Sequence, residues 1–470
     1  MAEKEIVMNG TGIEEIGFPG WPQFAPETFE ELANPLKEGK VNYWTGKRGM
    51  EFEEMFAKWL GAKMAISCTN GTAALHIALA SLNIGPGDEV IVPSYSFIAS
   101  SFSVVQAGAI PVFADVTDDH TIDPACIEAL ITKRTKAIIV VHLYGVVADM
   151  GPVLEIAKKH NLKVIEDCAQ CIGGEYKGIK AGLIGDVGCF SFCQSKHFTT
   201  GGEGGMVVTN DEETGWECRS FRDHGYDVKE KMNLLEKEGK QLYIHRRVGF
   251  NFRMTEIQSM IGLMELERFD SWNLPNRIRN GKMLIAQLKD HPLVKYCPVD
   301  TEERQNSFWW APFVLDTDKL TVSVADFIKA VAAEGVPVYS VLWPEMYKEQ
   351  AYTDRKGFGT FGYPFNDPRS RNIDYTKFNC KMANWMTDRT ISFFTHPTYE
   401  VEHIQAYIDA VQQETLSSYP ISIQAESTDE VEVYARSTQY AYIYTLHRDI
   451  ILFFRLLRLP LRQREPLRAT

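Results

Sequence analysis

From about residue 64 to residue 210, short β-branched runs alternate with segments whose apolar residues repeat at helical spacing. The predicted strands are Glu89–Val92, Ile110–Ala114, Ala137–Val141, Lys163–Glu166, Val187–Phe192 and Met206–Thr209. The predicted helices between them are Thr72–Leu82, Phe97–Ala107, Pro124–Ile131 and Met150–His160. This alternation predicts an α/β fold with a mostly parallel sheet covered by helices on both faces. Ligands in such folds bind at the carboxyl ends of the strands, so we expect the functional site there.

The composition excludes several broad classes of protein. Hydrophobic residues make up 45% of the 470 residues and charged residues 24%, which is typical of a globular protein and not of a disordered or fibrous one. A net charge of −13 argues against general nucleic-acid binding, because that binding needs basic surface. The sequence shows no uncharged apolar run near the ~20 residues of a membrane span, and its first residues do not resemble a signal peptide. We therefore expect a cytoplasmic protein.

Around Asp270–Pro275 the alternation of strands and helices gives way to a long basic segment that predicts a helix. We predict a large domain over residues 1–275 and a smaller α+β domain over residues 276–415. The predicted helices of the second domain are Asn276–Lys289, Val324–Glu334 and Val401–Glu414.

Residues 416–470 stand apart from both predicted domains. The segment Ser422–Glu432 is polar and acidic, which is typical of a linker. The segment Tyr444–Pro460 alternates apolar residues with arginines and predicts a basic amphipathic helix. Such a helix either contacts a membrane surface or a partner, or it packs on its own domain or forms a poorly ordered tail. We favour packing on its own domain or a tail, because Pro460 ends the pattern early.

Two pairs among the nine cysteines have the spacing of metal ligands, Cys168 with Cys171 and Cys189 with Cys193. Four thiolates could bind zinc, or the residues could be buried thiols on strands. We favour buried thiols and expect no metal, because both pairs lie in apolar, β-like stretches whereas structural zinc sites usually lie in short loops.

Lys196 follows the predicted strand Val187–Phe192 and precedes a glycine-rich turn. Burial at such a place lowers the pKa of a lysine and makes its free amine available for Schiff-base formation. An ordinary loop lysine whose amine reaches solvent would explain this motif equally well.

Asp167 ends the predicted strand Lys163–Glu166 and so lies at the ligand-binding edge. A carboxylate there can pair with a protonated ring nitrogen, as a pyridoxal cofactor requires, or it can cap the next segment. Gln170 could donate a hydrogen bond to the phenolic oxygen of that cofactor, or be a surface amide.

Gly71 and Thr72 open the first predicted helix, and free N–H groups at a helix start bind anions such as phosphate. A simple capped helix is an equally good reading of this motif alone. Together, the phosphate site, the acid Asp167 and the lysine Lys196 form one consistent site for pyridoxal 5′-phosphate (PLP).

Seven motifs occur in order along the chain: NGTAAL (70–75), PSYSF (93–97), HLYG (142–145), EDCAQ (166–170), SFCQSK (191–196), GEGG (202–205) and GFNFRMTEIQ (249–258). Through them, residues 27 to 415 resemble the DegT/DnrJ/EryC1/StrS family of PLP-dependent sugar aminotransferases. The GEGG motif begins one residue further from the lysine than in the commonest family pattern, and the last fifty or so residues have no counterpart. The resemblance implies the fold-type I aminotransferase architecture.

The resemblance also implies roles for the residues around the cofactor ring. Lys196 is expected to form the internal aldimine and to act with Asp167 in catalysis. Asp167 is expected to pair with the pyridinium nitrogen, Gln170 to contact the ring, and Phe97 to stack on its face.

The same resemblance implies a phosphate site formed by Gly71, Thr72 and Ser191. Asn251 is expected to reach this site from a second subunit, so the resemblance implies an obligate homodimer with a shared active site. Arg253 and His224 are candidates for binding the carboxylate of the amino-acid donor.

The implied reaction is a ping-pong transfer of an amino group from glutamate or glutamine to a keto-sugar. We favour a nucleotide-linked keto-hexose as the acceptor, because it is the commoner substrate in the family, with a keto-cyclitol of the scyllo-inosose type as the alternative. A family dehydratase would have a histidine in place of Lys196. A non-catalytic regulatory protein with a PLP fold remains the alternative from another class.

Overall fold

The computed structural model describes residues 16–446, apart from residues 231–243, 341–343, 419–420, 426–430 and 437–440, and describes side chains up to residue 415. The strands up to that point are β1 (Met64–Cys68), β2 (Glu89–Pro93), β3 (Ile110–Ala114), β4 (Thr135–Val141), β5 (Lys163–Asp167), β6 (Glu175–Tyr176), β7 (Ile179–Lys180), β8 (Val187–Ser191), β9 (Gly205–Thr209), β10 (Val294–Tyr296), β11 (Arg304–Gln305), β12 (Trp310–Leu315), β13 (Val338–Ser340) and β14 (Thr390–Phe394). The α-helices are Pro26–Glu31, Ala33–Glu38, Arg48–Leu60, Gly71–Ser81, Ala99–Gln106, Pro124–Ile127, Met150–His160, Glu212–Arg222, Glu256–Glu267, Leu274–Leu288, Val324–Ala333, Gln350–Thr353, Lys381–Thr387 and Val401–Ser418.

The largest sheet has seven strands in the order β1-β9-β8-β5-β4-β2-β3. Its strands from β8 through β5, β4 and β2 to β3 pair in parallel. The strands are buried along nearly their whole length, because helices pack on both faces of the sheet. The predicted α/β fold is therefore confirmed, and the parallel strands end at one common edge.

Strand β9 departs from the predicted parallel pattern, since it runs antiparallel to both β1 and β8. Strand β8 ends at Ser191 and β9 begins at Gly205, and no helix lies between them. A parallel neighbour needs a long crossover, usually a helix, so a chain that lacks one turns back on itself. The intervening turn contains Lys196 and is held against the edge of the sheet.

A second core surrounds a four-stranded antiparallel sheet in the order β10-β12-β14-β13. Three helices pack on it: Leu274–Leu288, Val324–Ala333 and Val401–Ser418. The hairpin of β6 and β7 extends from the large sheet and pairs with β11, so strand pairing joins the two parts of the chain. The four strands of the antiparallel sheet lie in the predicted second domain, whereas β6 and β7 lie in the predicted first one and the helix Leu274–Leu288 begins two residues before the second. The boundary at residues 275 and 276 stays a prediction.

One segment of that second part returns to the first core. Tyr352 and Tyr375 pack on Phe113 of β3 with ring centroids 5.2 and 5.7 Å apart, and the Tyr375 hydroxyl donates to the Pro111 carbonyl oxygen at 3.0 Å. The segment lies beside β3, which is the last strand of the large sheet. An otherwise open sheet edge is thereby covered, which prevents pairing with another chain.

The described part of the C-terminal segment differs from its sequence prediction. Strands β15 (Ile421–Ala425), β16 (Val431–Arg436) and β17 (Ala441–Leu446) form an antiparallel three-stranded sheet. Where it is described, the predicted linker Ser422–Glu432 differs from the structure, because residues 422–425 lie in β15 and residues 431–432 lie in β16. Apolar residues alternate with polar ones in β15, which is the period of a strand, and residues 426–430 lie outside the described part of the chain. The predicted helix Tyr444–Pro460 begins inside β17, and its residues beyond Leu446 lie outside the described part of the chain. No helix among the described residues is both long and apolar enough to cross a membrane.

Candidate active site

Asp167, Ser191 and Lys196 lie at or just beyond the carboxyl ends of β5 and β8. The register of these neighbouring parallel strands places Asp167 opposite Cys189, two residues before Ser191. Strand β4 ends beside them, with Val141 opposite Asp167. The structure thus brings the predicted acid and the lysine segment to one edge of the sheet.

Asp167 is a buried carboxyl that two donors hold in place. The Ser100 hydroxyl donates to Oδ2 at 2.7 Å, and the Ala169 N–H donates to Oδ1 at 3.1 Å. Burial raises the pKa of Asp167, and this effect outweighs the hydrogen bonds and the nearby Lys196 amine. A cation bound at this carboxyl would lower its pKa, so the position suits a protonated ring nitrogen.

His142 and Glu166, which lie in two of the motifs but carried no predicted role, form a buried pair beside Asp167. The Ala148 N–H donates to His142 Nδ1 at 3.1 Å, so the imidazole proton lies on Nε2 and is shared with Glu166 at 3.0 Å. Glu166 also accepts backbone N–H groups from Gly182, Ile184 and Gly185 at 2.8, 2.7 and 2.6 Å. The pair joins the ends of β4 and β5 and so fixes the strand end that carries Asp167.

The four cysteines do not assemble into a zinc site. Among the described residues, His142, Glu166 and Cys168 are the one group of three or more side chains with metal-ligating atoms close together. Cys171, Cys189 and Cys193 are not part of this group, and Glu166 is already satisfied by its hydrogen bonds. Burial raises the pKa values of Cys168 and Cys189 well above the usual range, so both are neutral thiols.

The Lys196 amine lies 4.3 Å from the centroid of the Trp309 ring. Burial lowers the pKa of Lys196 to about 8, although the thiol of Cys193 and the carboxyls of Asp167 and Glu203 oppose the shift. A substantial fraction of the amine is therefore neutral near physiological pH, as a nucleophilic lysine requires.

The main chain of this lysine is anchored from outside its own turn. The Trp21 indole N–H donates to the Lys196 carbonyl oxygen at 3.1 Å, and Asn273 donates to that of His197 at 2.7 Å. Arg277 also donates to both carbonyls, at 3.5 and 3.3 Å. Arg277 is fully buried, and burial lowers its pKa to about 9. The helix predicted over Asn276–Lys289 therefore begins against the lysine segment.

Gly71, Thr72 and Ser191 meet where the helix Gly71–Ser81 begins. The Asn70 side chain caps this helix by accepting the Ala73 N–H at 2.8 Å. The N–H groups of Gly71 and Thr72 are out of reach of any helical carbonyl. A Cβ on Gly71 would lie 2.7 Å from the Cβ of Ser191, so only glycine fits beside this serine. Free N–H groups at a helix start with a hydroxyl next to them suit an anion, and the role of these residues in binding phosphate stays a prediction.

Gln170 and Phe97 occupy the flank of the site. Gln170 is buried, and its Oε1 accepts the N–H of Tyr144 at 2.8 Å, which leaves its amide nitrogen as the donor for a ligand. Phe97 follows β2, and half of its side chain is exposed. Their roles toward a cofactor ring stay predictions.

Asn251 is exposed and lies next to Phe252, whose carbonyl oxygen accepts the Thr69 N–H at 2.9 Å. It is therefore near the start of the helix Gly71–Ser81 in its own chain. Its predicted role in the site of a second subunit is not tested by this arrangement.

Arg253, a candidate for binding the donor carboxylate, forms an ion pair with the buried carboxyl of Asp223. The Trp44 indole N–H also donates to Asp223. His224 is in a left-handed backbone conformation with φ 57°, and its carbonyl oxygen accepts a hydrogen bond from His245. The ion pair makes Arg253 a weaker candidate, because a donor carboxylate would have to compete with Asp223.

The strand order, together with a lysine and an aspartate at the strand ends, defines the fold-type I architecture of PLP-dependent aminotransferases. A solved structure, the aminotransferase from Psychrobacter cryohalolentis, superposes with a TM-score of 0.77 at 34% identity and covers 86% of this chain and 100% of that one. Residues 22–412 match the profile of the DegT/DnrJ/EryC1/StrS aminotransferase family, and the chain belongs to this family.

Two curated relatives carry names that state a substrate or a product. A GDP-perosamine synthase from Caulobacter vibrioides is 51% identical over 227 residues, which are 48% of this chain and 58% of that protein. The match thus spans less than two thirds of the length of that relative. An L-glutamine:2-deoxy-scyllo-inosose aminotransferase from Streptoalloteichus tenebrarius is 31% identical over 403 residues, which are 82% of this chain and 91% of that protein.

Proposed function

We propose that the protein is a PLP-dependent aminotransferase that moves an amino group from glutamate or glutamine to a keto-sugar. The observation that carries this proposal is the placement of Lys196 and Asp167 at adjacent strand ends in a chain of this family. The lysine has a lowered pKa and the buried acid a raised one, as an amine nucleophile and a carboxyl awaiting a cationic partner require.

The residues of the site fit pyridoxal 5′-phosphate. The buried carboxyl of Asp167 suits a protonated ring nitrogen, and the crowded start of the helix at Gly71 suits a phosphate. When bound, the cofactor supplies an aldehyde and an electron-accepting ring. With the cofactor bound, Asp167 would keep a proton on the ring nitrogen, and the Lys196 amine would hold the cofactor and serve as the base and acid that moves a proton.

The remaining roles concern binding. Gly71, Thr72 and Ser191 bind the phosphate, Gln170 donates to the ring oxygen and Phe97 stacks on the ring. We further propose that Asn251 of a second subunit completes the phosphate site in a homodimer, and that the enzyme is cytoplasmic.

For the acceptor we propose a nucleotide-linked keto-hexose. The relative at 51% identity is named for a nucleotide-sugar product, and this supports the proposal. A keto-cyclitol is the second candidate, because the relative named for 2-deoxy-scyllo-inosose matches over most of the length of both proteins. A regulatory protein without turnover is disfavoured, because Lys196 and Asp167 are both in place.

The absorbance spectrum of the purified protein tests the proposal. We expect a visible band with PLP that bleaches when glutamate or glutamine is added, and no such response in Lys196→Ala. Keto-hexoses linked to a nucleotide are then compared with keto-cyclitols for restoration of the band. A band that responds to no amino acid would favour the regulatory reading, and the lack of any band after PLP is added would contradict the site itself.

A further inference from the structure

Trp309 contacts the lysine segment twice, although it lies far from it in sequence. Its ring centroid is 4.3 Å from the Lys196 amine, and its indole N–H donates to the carbonyl oxygen of Ser195. The side chain is almost fully buried, with 3% of the residue exposed. The same indole thus binds the main chain just before the lysine and presents its ring to the amine.

The ring of Trp309 is itself held in place. It stacks on Trp310 with centroids 4.3 Å apart at 11°, and on Tyr144 with centroids 6.4 Å apart at 17°. The carbonyl oxygen of Trp309 accepts hydrogen bonds from the Thr395 hydroxyl at 3.1 Å and from the Arg277 guanidinium at 3.4 Å. Because both the main chain and the ring of Trp309 are held by these contacts, the ring can define the position of the flexible amine beside it.

The charged groups that face Lys196 do not hold its amine. Asp167, Glu203 and the thiol of Cys193 act on it only through space, and no ion pair of Lys196 occurs within the described part of the chain. The face of an indole attracts an ammonium, and this attraction strengthens where water is excluded. Among the described residues, the indole of Trp309 is therefore the group that lies against the free amine in this structure.

We propose that Trp309 is a positioning residue that holds the Lys196 amine when it is free, both before cofactor binding and during proton transfer. The proposal rests on the proposed function only in taking Lys196 as the reacting amine. Trp309 directly precedes β12 of the four-stranded sheet, but its side chain is buried in the first core, where it contacts the lysine segment.

Competitive acylation of the cofactor-free protein, followed by peptide mass spectrometry, measures the pKa of the Lys196 amine directly. An indole that attracts the ammonium raises this pKa. Leucine removes the attraction but still covers the amine with an apolar side chain, so Trp309→Leu is expected to lower the pKa by about 0.5–1 unit. Trp309→Phe keeps a ring and is expected to lower it by less. A value in Trp309→Leu within about 0.2 unit of that in the unaltered protein would overturn the proposal.

The chain offers a matched control at another lysine. The Lys180 amine lies 4.2 Å from the centroid of the Trp59 ring, away from the site. Trp59→Leu is expected to leave the acylation of Lys196 unaltered. A change at Lys196 of the same size in this variant would show that losing any tryptophan has the effect, and would contradict a specific role for Trp309.

If Trp309→Leu fails to fold, a fluorinated ring distinguishes the attraction of the ring for the ammonium from the packing of the side chain. Tetrafluorotryptophan placed at position 309 keeps the shape and the N–H group but weakens the attraction of the ring for a cation. We expect the pKa of Lys196 to fall in this protein also, and an unchanged value would overturn the proposal.

The donor half-reaction provides a second readout. Because the amine is less well placed in Trp309→Leu, this variant should have a lower kcat and a nearly unchanged KM for the donor. Deuterium at the α-carbon of the donor should slow the variant more than it slows the unaltered enzyme. If the unaltered protein responds to no amino acid, the proposed function fails, yet the acylation measurement still decides the role of Trp309.

Discussion

Lys196 and Asp167 could be predicted from sequence because each lies where a buried strand ends. His142 and Glu166 lie in motifs that were recognised, but the pairing of their side chains depends on the register of β4 and β5. Trp309 carried no local signal, because its contact with Ser195 joins residues 114 positions apart. At the scale of single residues, the sequence therefore indicates the groups that react but not those that position them.

Replacing Asp167 by asparagine removes the buried negative charge that would hold a proton on the cofactor ring. We expect Asp167→Asn to slow the donor half-reaction by at least about 100-fold, the size typical of an acid–base residue. Stopped-flow absorbance with glutamate measures the rate. Ser100→Ala is the control, because it removes one hydrogen bond to the carboxyl but keeps the carboxyl itself. It should slow the donor half-reaction much less. A half-reaction of near-normal rate in Asp167→Asn would contradict the assigned role.

The pKa of Lys196 predicts the pH dependence of cofactor binding. Only the neutral amine attacks an aldehyde, so the rate with added PLP should rise about tenfold per pH unit below the pKa of about 8 and level off above it. The nearby Asp167 carboxylate raises this pKa, so Asp167→Asn should move the transition to lower pH. Stopped-flow mixing between about pH 6.5 and pH 9.5 measures both. A rate that still rises about tenfold per unit at about pH 9.5, as the ordinary lysine pKa of 10.5 requires, would show that Lys196 is not perturbed.

At the scale of elements, the spacing of apolar residues predicts strands and helices well where the whole element keeps a single period. The helix Met150–His160 and the strand Ile110–Ala114 have the predicted bounds. The direction of β9 could not be deduced from its own residues, because it depends on the missing crossover before it. The apolar–polar alternation in Ile421–Ala425 is short and acidic residues follow it, so the sequence of this strand resembles that of a linker.

The start of the helix Gly71–Ser81 provides a prediction at this scale. A Cβ at position 71 would collide with Ser191, so Gly71→Ala should push the helix start away and weaken cofactor binding by about tenfold or more. Equilibrium dialysis with PLP measures the affinity. Gly20→Ala is the matched control, because a Cβ on Gly20 would meet no atom within 4 Å.

A second substitution distinguishes collision from other causes. Ser191→Gly removes the Cβ that Gly71→Ala would meet, so the double variant should bind the cofactor better than expected from the sum of the two single changes. Strictly additive losses would contradict the packing argument.

At the scale of the whole molecule, sequence predicted two parts but not their interweaving. Met346, Tyr352 and Tyr375 belong by sequence to the second part, yet they are buried in the core of the first. The sequence around these residues has no unusual pattern, so it does not indicate that their side chains pack beside β3. Chain order and spatial order differ here, because an exposed sheet edge is covered by a later segment.

The proposed shared site predicts complementation between two inactive variants. If Asn251 acts in the partner's site, a mixed dimer of Lys196→Ala and Asn251→Ala subunits has one site with both residues intact. Half of randomly paired dimers are mixed, so co-expression should restore up to about a quarter of normal activity. The donor half-reaction and light scattering measure activity and mass. No recovery in a verified mixed dimer would place Asn251 in the site of its own chain.

The hydrogen bonds of Arg277 have a consequence for motion. Its guanidinium donates to the carbonyl oxygens of Lys196 and His197 on one side and of Trp309 on the other. Any rotation of one sheet against the other would have to break these buried bonds together, leaving a desolvated positive charge with few acceptors. We therefore expect the two sheets to move as a single rigid body, so that substrates enter through rearranged loops rather than through a hinge between domains.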